Sequence, residues 1–215
     1  GMGHYARMYS LAMALRRKDP KIEIVFFTTN YVLHPIYGDN FTAYHLPNRQ
    51  KFESMDARTW NLICEEMLAN VFSVHRPSIF VFDGAYPYRG MLNAIKTRSD
   101  VMRVWVRRIN RKGKDNAPAD SYQHFQRIVV PGDLIEPDMD ELAKWPVDEI
   151  NLTPPLLSTS REDLAPRGEL RNRLGIPIDS NVALVSLGAG EINDISDMRR
   201  FVIDGLIERG VYVIL

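Results

Sequence analysis

The chain contains one cysteine, Cys64, in 215 residues. An internal disulfide is therefore excluded, which fits a reducing, cytoplasmic setting. No run of about 18 or more apolar residues occurs, so the sequence offers no transmembrane helix. Charge of either sign is not in excess: Lys+Arg and Asp+Glu are both 27, for a net charge of +0. No global field draws the chain to nucleic acid or to an anionic membrane. The one basic run lacks interleaved aromatics apart from Trp105, which argues against a stacking platform for single strands. His34, His45, His75 and His124 show no metal-ligand spacing to one another or to Cys64, and they read as structural or surface histidines. The remaining composition is ordinarily globular, 45% hydrophobic and 25% charged, in a length between one and two average domains.

The pattern alternates strands with helices. Met8, Leu11, Ala12 and Leu15 recur at helical spacing over residues 5–18, and Arg16, Arg17 and Lys18 sit where the helix dipole favours cations. Ile22 to Phe27 and Phe41 to Leu46 read as strands. Trp60, Ile63, Cys64, Met67, Leu68 and Val71 form one stripe of a helix over about residues 56–74, which makes Cys64 an inert core thiol. Ser78 to Phe82 is an apolar strand ending at Asp83-Gly84, and Pro87 marks the first turn of a helix running to about Lys96. Further strands are expected at Val101–Val106 and Arg127–Val130, with an exposed loop over residues 109–120 between them. A strand at Val182–Leu187 runs into Gly188-Ala189-Gly190, and a helix marked by Ile195, Met198, Val202 and Leu206 ends at Gly210.

Such alternation predicts parallel sheets covered on both faces. A glycine turn opens an α/β run twice, at Gly1–Gly3 and at Gly188–Gly190. The expected fold class is therefore α/β with two Rossmann-like domains: residues 1–155, a polar linker over 156–175, and the start of a second domain at 176–215. The first glycine turn has no strand before it, and Val211–Leu215 is a strand with nothing after it. The expectation is a piece of a larger protein, lacking an initial strand and much of the second domain. An expression scar ending in Gly-Met is the alternative origin of the first two residues.

Gly1 and Gly3 let a backbone turn tightly and approach a ligand, while the following helix N-terminus suits a phosphate. The stretch fits the dinucleotide pattern G-x-G-x-x-A, but the next strand ends in Thr28-Thr29-Asn30, where that fingerprint needs an acidic residue. No G-K-[ST] follows, so a Walker loop is absent. His4 sits in the turn rather than on an apolar stripe. It reads either as a capping histidine or as a general base, because histidine titrates near neutral pH. Asp83, at the carboxyl end of its own strand, reads as the orienting carboxylate or as a turn residue.

Gly-Met-Gly-His-x-x-Arg, followed by a Leu-Ala-containing helix, resembles the MurG-like nucleotide-sugar glycosyltransferases of the GT-B fold and their hydrolase relatives that cleave nucleotide-linked amino sugars. Three further segments fit in order: Phe80–Asp83 with Tyr86–Gly90, then Val129–Asp133, then Val185–Asp194. The likeness extends to predicted bacterial glycosyltransferases and spans nearly the whole chain. It implies that the first domain holds the acceptor and the second a nucleotide-sugar, UDP-linked, for hexosyl or N-acetylhexosaminyl transfer without a further cofactor. His4 would deprotonate the acceptor hydroxyl of a glycan, lipid or small molecule in an inverting transfer, with Asp83 orienting it. The same pair acting on water would make a hydrolase. A non-catalytic acceptor-binding subunit of a split enzyme is the third reading. Gly188, Gly190 and Asn193 would lie at the domain cleft beside the donor diphosphate, with the next helix N-terminus stabilising it. No D-x-D motif is present, and the resemblance implies metal-independent chemistry.

Arg7, one turn into the first helix, is expected to reach an anionic substrate or to make a surface salt bridge. Tyr88 and Arg89 follow a strand end on the functional edge and are expected to touch the acceptor. Arg103, Arg107, Arg108, Arg111, Lys112 and Lys114 form the basic run. It reads as a solvated loop or as a site for a lipid diphosphate headgroup in peripheral membrane contact.

Overall fold

The computed structural model describes residues 2–109, 117–133, 138–147, 149–187 and 194–215, with the side chains of residues 119 and 141 excepted. Gly1, Gly188, Gly190 and Asn193, together with Arg111, Lys112 and Lys114, lie outside the described residues. The chain divides into two compact units, Gly1–Ser158 and Thr159–Leu215.

In the first unit α1 (Met2–Lys18) precedes β1 (Val25–Thr28), α2 (His34–Gly38) and β2 (Thr42–His45). Then come α3 (Ala57–His75), β3 (Ile79–Asp83), α4 (Arg89–Lys96), β4 (Met102–Val106), β5 (Arg127–Pro131), α5 (Met139–Leu142) and β6 (Ile150–Thr153). β1 and β2 pair in parallel, and β3-β4-β5-β6 form a four-stranded sheet in that order. Every pairing in it is parallel, with Asp83 opposite Val106 and Pro131 opposite Thr153. The carboxyl ends of all four strands therefore share one edge, the edge at which open α/β sheets place ligands.

Local chemistry explains the longest helix. The Asp56 carboxylate accepts from the Thr59 amide at 2.7 Å and caps α3. Its buried residues are Trp60, Cys64, Leu68, Val71 and Phe72, spaced along one face. Arg76 ends it in the left-handed region, at φ 46°, before Pro77. α3 packs closely on α4 because position 90 is glycine: a Cβ there would meet the Asn61 carbonyl oxygen at 2.0 Å. The Gly90 amide instead donates to Asn61 Oδ1 at 2.7 Å.

Two apolar clusters hold this unit. The larger joins Trp60, Leu68 and Phe72 of α3 and Leu92 and Ile95 of α4 to Trp105, Ile128 and Val130 of the four-stranded sheet. The smaller sets Tyr5 and Ala12 of α1 against Ile36 and Phe41, with Phe26 and Ala43 of the two strands packed on it.

The second unit holds α6 (Arg167–Arg173), β7 (Val182–Leu184), α7 (Ser196–Ile207) and β8 (Tyr212–Ile214), with β7 and β8 parallel. Arg171 is buried, and its Nη1 donates to the carbonyls of Pro177, Ile178 and Ser180 at 2.7, 2.6 and 3.0 Å. Of residues 156–175, expected as a linker, 159–175 fall within the second unit, where α6 anchors the turn before β7.

The structure corrects several local expectations. α1 starts at Met2, so His4 lies in the first helical turn and not in a loop before it. α4 begins at Arg89 with Tyr88 as its N-cap, so Pro87 lies before the helix and not in its first turn. The residues at the end of the expected 109–120 loop enter a 3₁₀ turn, Ala119–His124, whose Ser121 and Tyr122 are buried. β6 went unread because an edge strand needs no alternating apolar pattern, and its Leu152 is half exposed. Among the described residues no helix is long and apolar enough to cross a membrane.

Burial pushes the Cys64 thiol up to about 12. At pH 8 the native protein should therefore leave Ellman's reagent unreacted, because thiolate is the reacting species. One equivalent should react after unfolding in guanidinium. A fast stoichiometric reaction in the native state would contradict the packing of α3.

Candidate functional site

His4 and Arg7 are three residues apart on α1 and so share a face of the helix. Both point to Asp83, the last residue of β3. His4 Nδ1 lies 2.5 Å from Asp83 Oδ1. Arg7 Nε donates to Asp83 Oδ2 at 2.8 Å, and Arg7 Nη2 donates to Oδ1 at 2.7 Å. The Asp83 side chain is 1% exposed, that of Arg7 15% and that of His4 42%. The carboxylate is thus enclosed, while the imidazole stays open to solvent.

This geometry decides the tautomer. A carboxylate oxygen is an acceptor only, so a nitrogen 2.5 Å away must carry the proton. The alternative would set two lone pairs against each other. Nδ1 is therefore the N–H that donates to Oδ1, and the 2.8 Å approach of Arg7 Nη2 to Nδ1 is a contact between two donors sharing one acceptor. In the neutral ring Nε2 then carries the lone pair.

The strand end itself is held from behind. The Trp105 indole Nε1–H donates to the Gly84 carbonyl at 2.8 Å, wholly buried. Gly84 lies over the Phe82 ring, where a Cβ would come within 2.4 Å of it. The peptide after Asp83 is therefore fixed by one hydrogen bond and one steric limit. At Gly3, by contrast, a Cβ would make only an ordinary van der Waals contact, with Arg7 Nη1 at 3.8 Å.

Tyr88 stands on the same edge. Its ring packs edge-on against Trp60 with centroids 4.8 Å apart, and its hydroxyl shares a hydrogen bond with the Thr29 side chain. Burial pushes that hydroxyl above its ordinary range. The loops leaving β1 and β3 thus meet. Arg89 turns elsewhere, to Asp120 at 2.7 Å, and the pair is about half exposed. The structure therefore gathers His4, Arg7 and Asp83 and sets Tyr88 beside Thr29, while Arg89 is engaged outside that cluster.

The described members of the basic run do not form one patch. The Arg103 side chain donates to Gln126 Oε1 and to the Ile95 carbonyl. Arg107 is 5% exposed, with its guanidinium 4.8, 5.2 and 4.5 Å from the ring centroids of Trp105, Tyr122 and Trp145, and it donates to the Tyr122 hydroxyl. Arg108 pairs with Asp133 at 2.5 Å. The solvated-loop reading fails for Arg107 because its neighbours come from three separate segments. Thr29, Trp60 and Trp105 were missed as contributors to this edge. Trp60 and Trp105 read as core residues, and the Thr29 signal was only the absence of an acid.

In the second unit, the turn after β7 and the start of α7 enclose a concavity of about 190 Å³. Val185, Ser186, Leu187, Ile195, Arg199 and Leu215 line it. Among the described residues no cluster of three or more His, Cys, Asp or Glu is placed to hold a metal ion.

No family model matches the chain, and no curated protein matches it. Among solved structures it is similar to a glycosyltransferase from Rickettsia africae ESF-5, with a TM-score of 0.60 and 10% identity over 97% of this chain. The chain spans 64% of the length of that structure. The chain has the mixed α/β architecture with parallel sheets of a GT-B-like, Rossmann-type fold, shared with a glycosyltransferase.

Trp105→Phe removes the donor to Gly84 and leaves a buried carbonyl unsatisfied. Stability should fall by about 1–3 kcal/mol, read as a lower urea midpoint. An unchanged midpoint would mean that this bond does not hold the strand end.

Proposed function

We propose that the chain carries the base side of an inverting glycosyl transfer from a nucleotide-sugar, UDP-linked, to an acceptor hydroxyl. The observation that carries the reading is the His4–Asp83 contact at 2.5 Å, with the imidazole open to solvent and the carboxylate enclosed. A base needs this asymmetry, with a fixed, desolvated partner on one nitrogen and an accessible lone pair on the other. The shared fold with a glycosyltransferase supports the reaction class, although fold alone does not fix chemistry.

In this reading His4 Nε2 takes the proton from the acceptor hydroxyl as its oxygen attacks the anomeric carbon. The new C–O bond forms as the bond to the diphosphate oxygen breaks, and the nucleoside diphosphate leaves with the electron pair. Asp83 holds the imidazolium that results. Tyr88, in its bond with Thr29, borders the acceptor side, and Gly3 leaves room for close approach. In the second unit, Arg199 and the first turn of α7 are assigned to the donor diphosphate, because a helix N-terminus favours anionic oxygens. Gly188, Gly190 and Asn193 are assigned to the same donor contact.

The test is release of nucleoside diphosphate from UDP-hexoses and UDP-N-acetylhexosamines, with and without hydroxyl acceptors, by the full-length protein. His4→Ala should lower kcat by about 10²–10⁴-fold. A loss of only a few-fold would sink the base role. Free sugar as the main product at an unchanged rate without acceptor would assign a hydrolase using the same base on water. No turnover of any donor would leave the acceptor-binding subunit as the surviving reading.

A further inference from the structure

The carboxylate that orients His4 is itself held by Arg7. An aspartate has two oxygens and one free torsion next to its carboxylate, so a single bond from a histidine would not keep Oδ1 on Nδ1. Arg7 supplies two bonds from one rigid fork, Nε to Oδ2 at 2.8 Å and Nη2 to Oδ1 at 2.7 Å. A planar guanidinium gripping both oxygens sets the plane of the carboxylate as well as its position. The grip is enclosed, since Asp83 is 1% and Arg7 15% exposed. Two of the three guanidinium nitrogens are engaged on the protein's own carboxylate. Arg7 is therefore not placed as a free cation for a substrate anion.

We propose that Arg7 is a positioning residue: its fork fixes the Asp83 carboxylate edge-on, so that Oδ1 holds His4 as the Nδ1–H tautomer with Nε2 facing solvent. The proposal rests on reading His4 as the base, but its structural half stands apart from any activity. A lysine at this position keeps the charge beside Asp83 and loses the fork, so it removes orientation without leaving a buried charge unpaired.

The experiment has two readouts. Long-range ¹H–¹⁵N spectra of the histidine rings report the tautomer of His4 in the wild type and in Arg7→Lys, with His4→Ala to assign the signal. The expected wild-type result is Nδ1–H. Arg7→Lys should give a mixture of tautomers and a fall in kcat on the order of 10²-fold, the scale of a misplaced catalytic group, with KM for the donor unchanged. Three results would overturn the proposal. One is a wild-type Nε2–H tautomer, which needs no variant to fold. Another is a raised donor KM at unchanged kcat in Arg7→Lys, which would make Arg7 a substrate contact. The third is a lower melting temperature with tautomer and kcat both unchanged, which would leave Arg7 a structural ion pair. Should His4→Ala leave turnover intact, the base reading fails, while the tautomer of the Arg7→Lys protein still decides the role of the fork.

Discussion

A carboxylate buried at the end of a strand constrains the rest of the first unit. Asp83 is 1% exposed, and an unpaired charge in that position is costly. Removing one partner of such a pair typically destabilises a protein by about 3–5 kcal/mol. The partners come from α1, with Arg7 76 and His4 79 residues away in sequence. α1 must therefore lie with its first turn over the carboxyl end of β3. Its other anchor is aromatic: Tyr5 stacks on Tyr9, and Tyr9 and Phe26 both meet Phe41 edge-on. One end of the helix is thus set by charge and its flank by apolar packing on β1 and β2.

The parallel sheet turns that constraint into a site. Because every pairing is parallel, each strand delivers its carboxyl end to the same edge. Asp83 arrives there with its following peptide tied to Trp105, and Thr29 and Tyr88 join the loops on either side. Arg107, buried among three aromatic rings, stiffens the neighbouring strand end. Rigid backing of this kind lets the His4 ring stay partly exposed while its Nδ1 is held on Asp83.

What was legible in the sequence follows from the range of the interactions. The helix stripe through Trp60, Cys64 and Leu68 and the alternation of strands with helices are local periodicities, and they were readable. The pairing of His4 with Asp83 was readable as one of two options, because a glycine-flanked helix start and a strand end belong to the same sheet edge. The engagement of Arg7 was not, since i, i+3 spacing says that two side chains share a face but not which ion they meet. Arg107 sat in a run of charges that looked solvated, and nothing nearby in sequence announces Tyr122 and Trp145 as its neighbours. β6 was missed because an edge strand buries little and carries little pattern. The glycine turn at 188–190 lies outside the described residues, so the donor side rests on the concavity beside α7.

The proposed glycosyl transfer draws on a fold shared, at 10% identity, with a glycosyltransferase and on the reading of His4 as its base. The stereochemistry of transfer tests that most directly. With the full-length protein, an anomerically pure UDP-sugar and an acceptor it accepts, the configuration of the product is read from the anomeric proton coupling in ¹H NMR. A single displacement assisted by His4 predicts inversion at the anomeric carbon. Retention would require two displacements or attack from the leaving-group face, and it would contradict the assignment of His4 as the base.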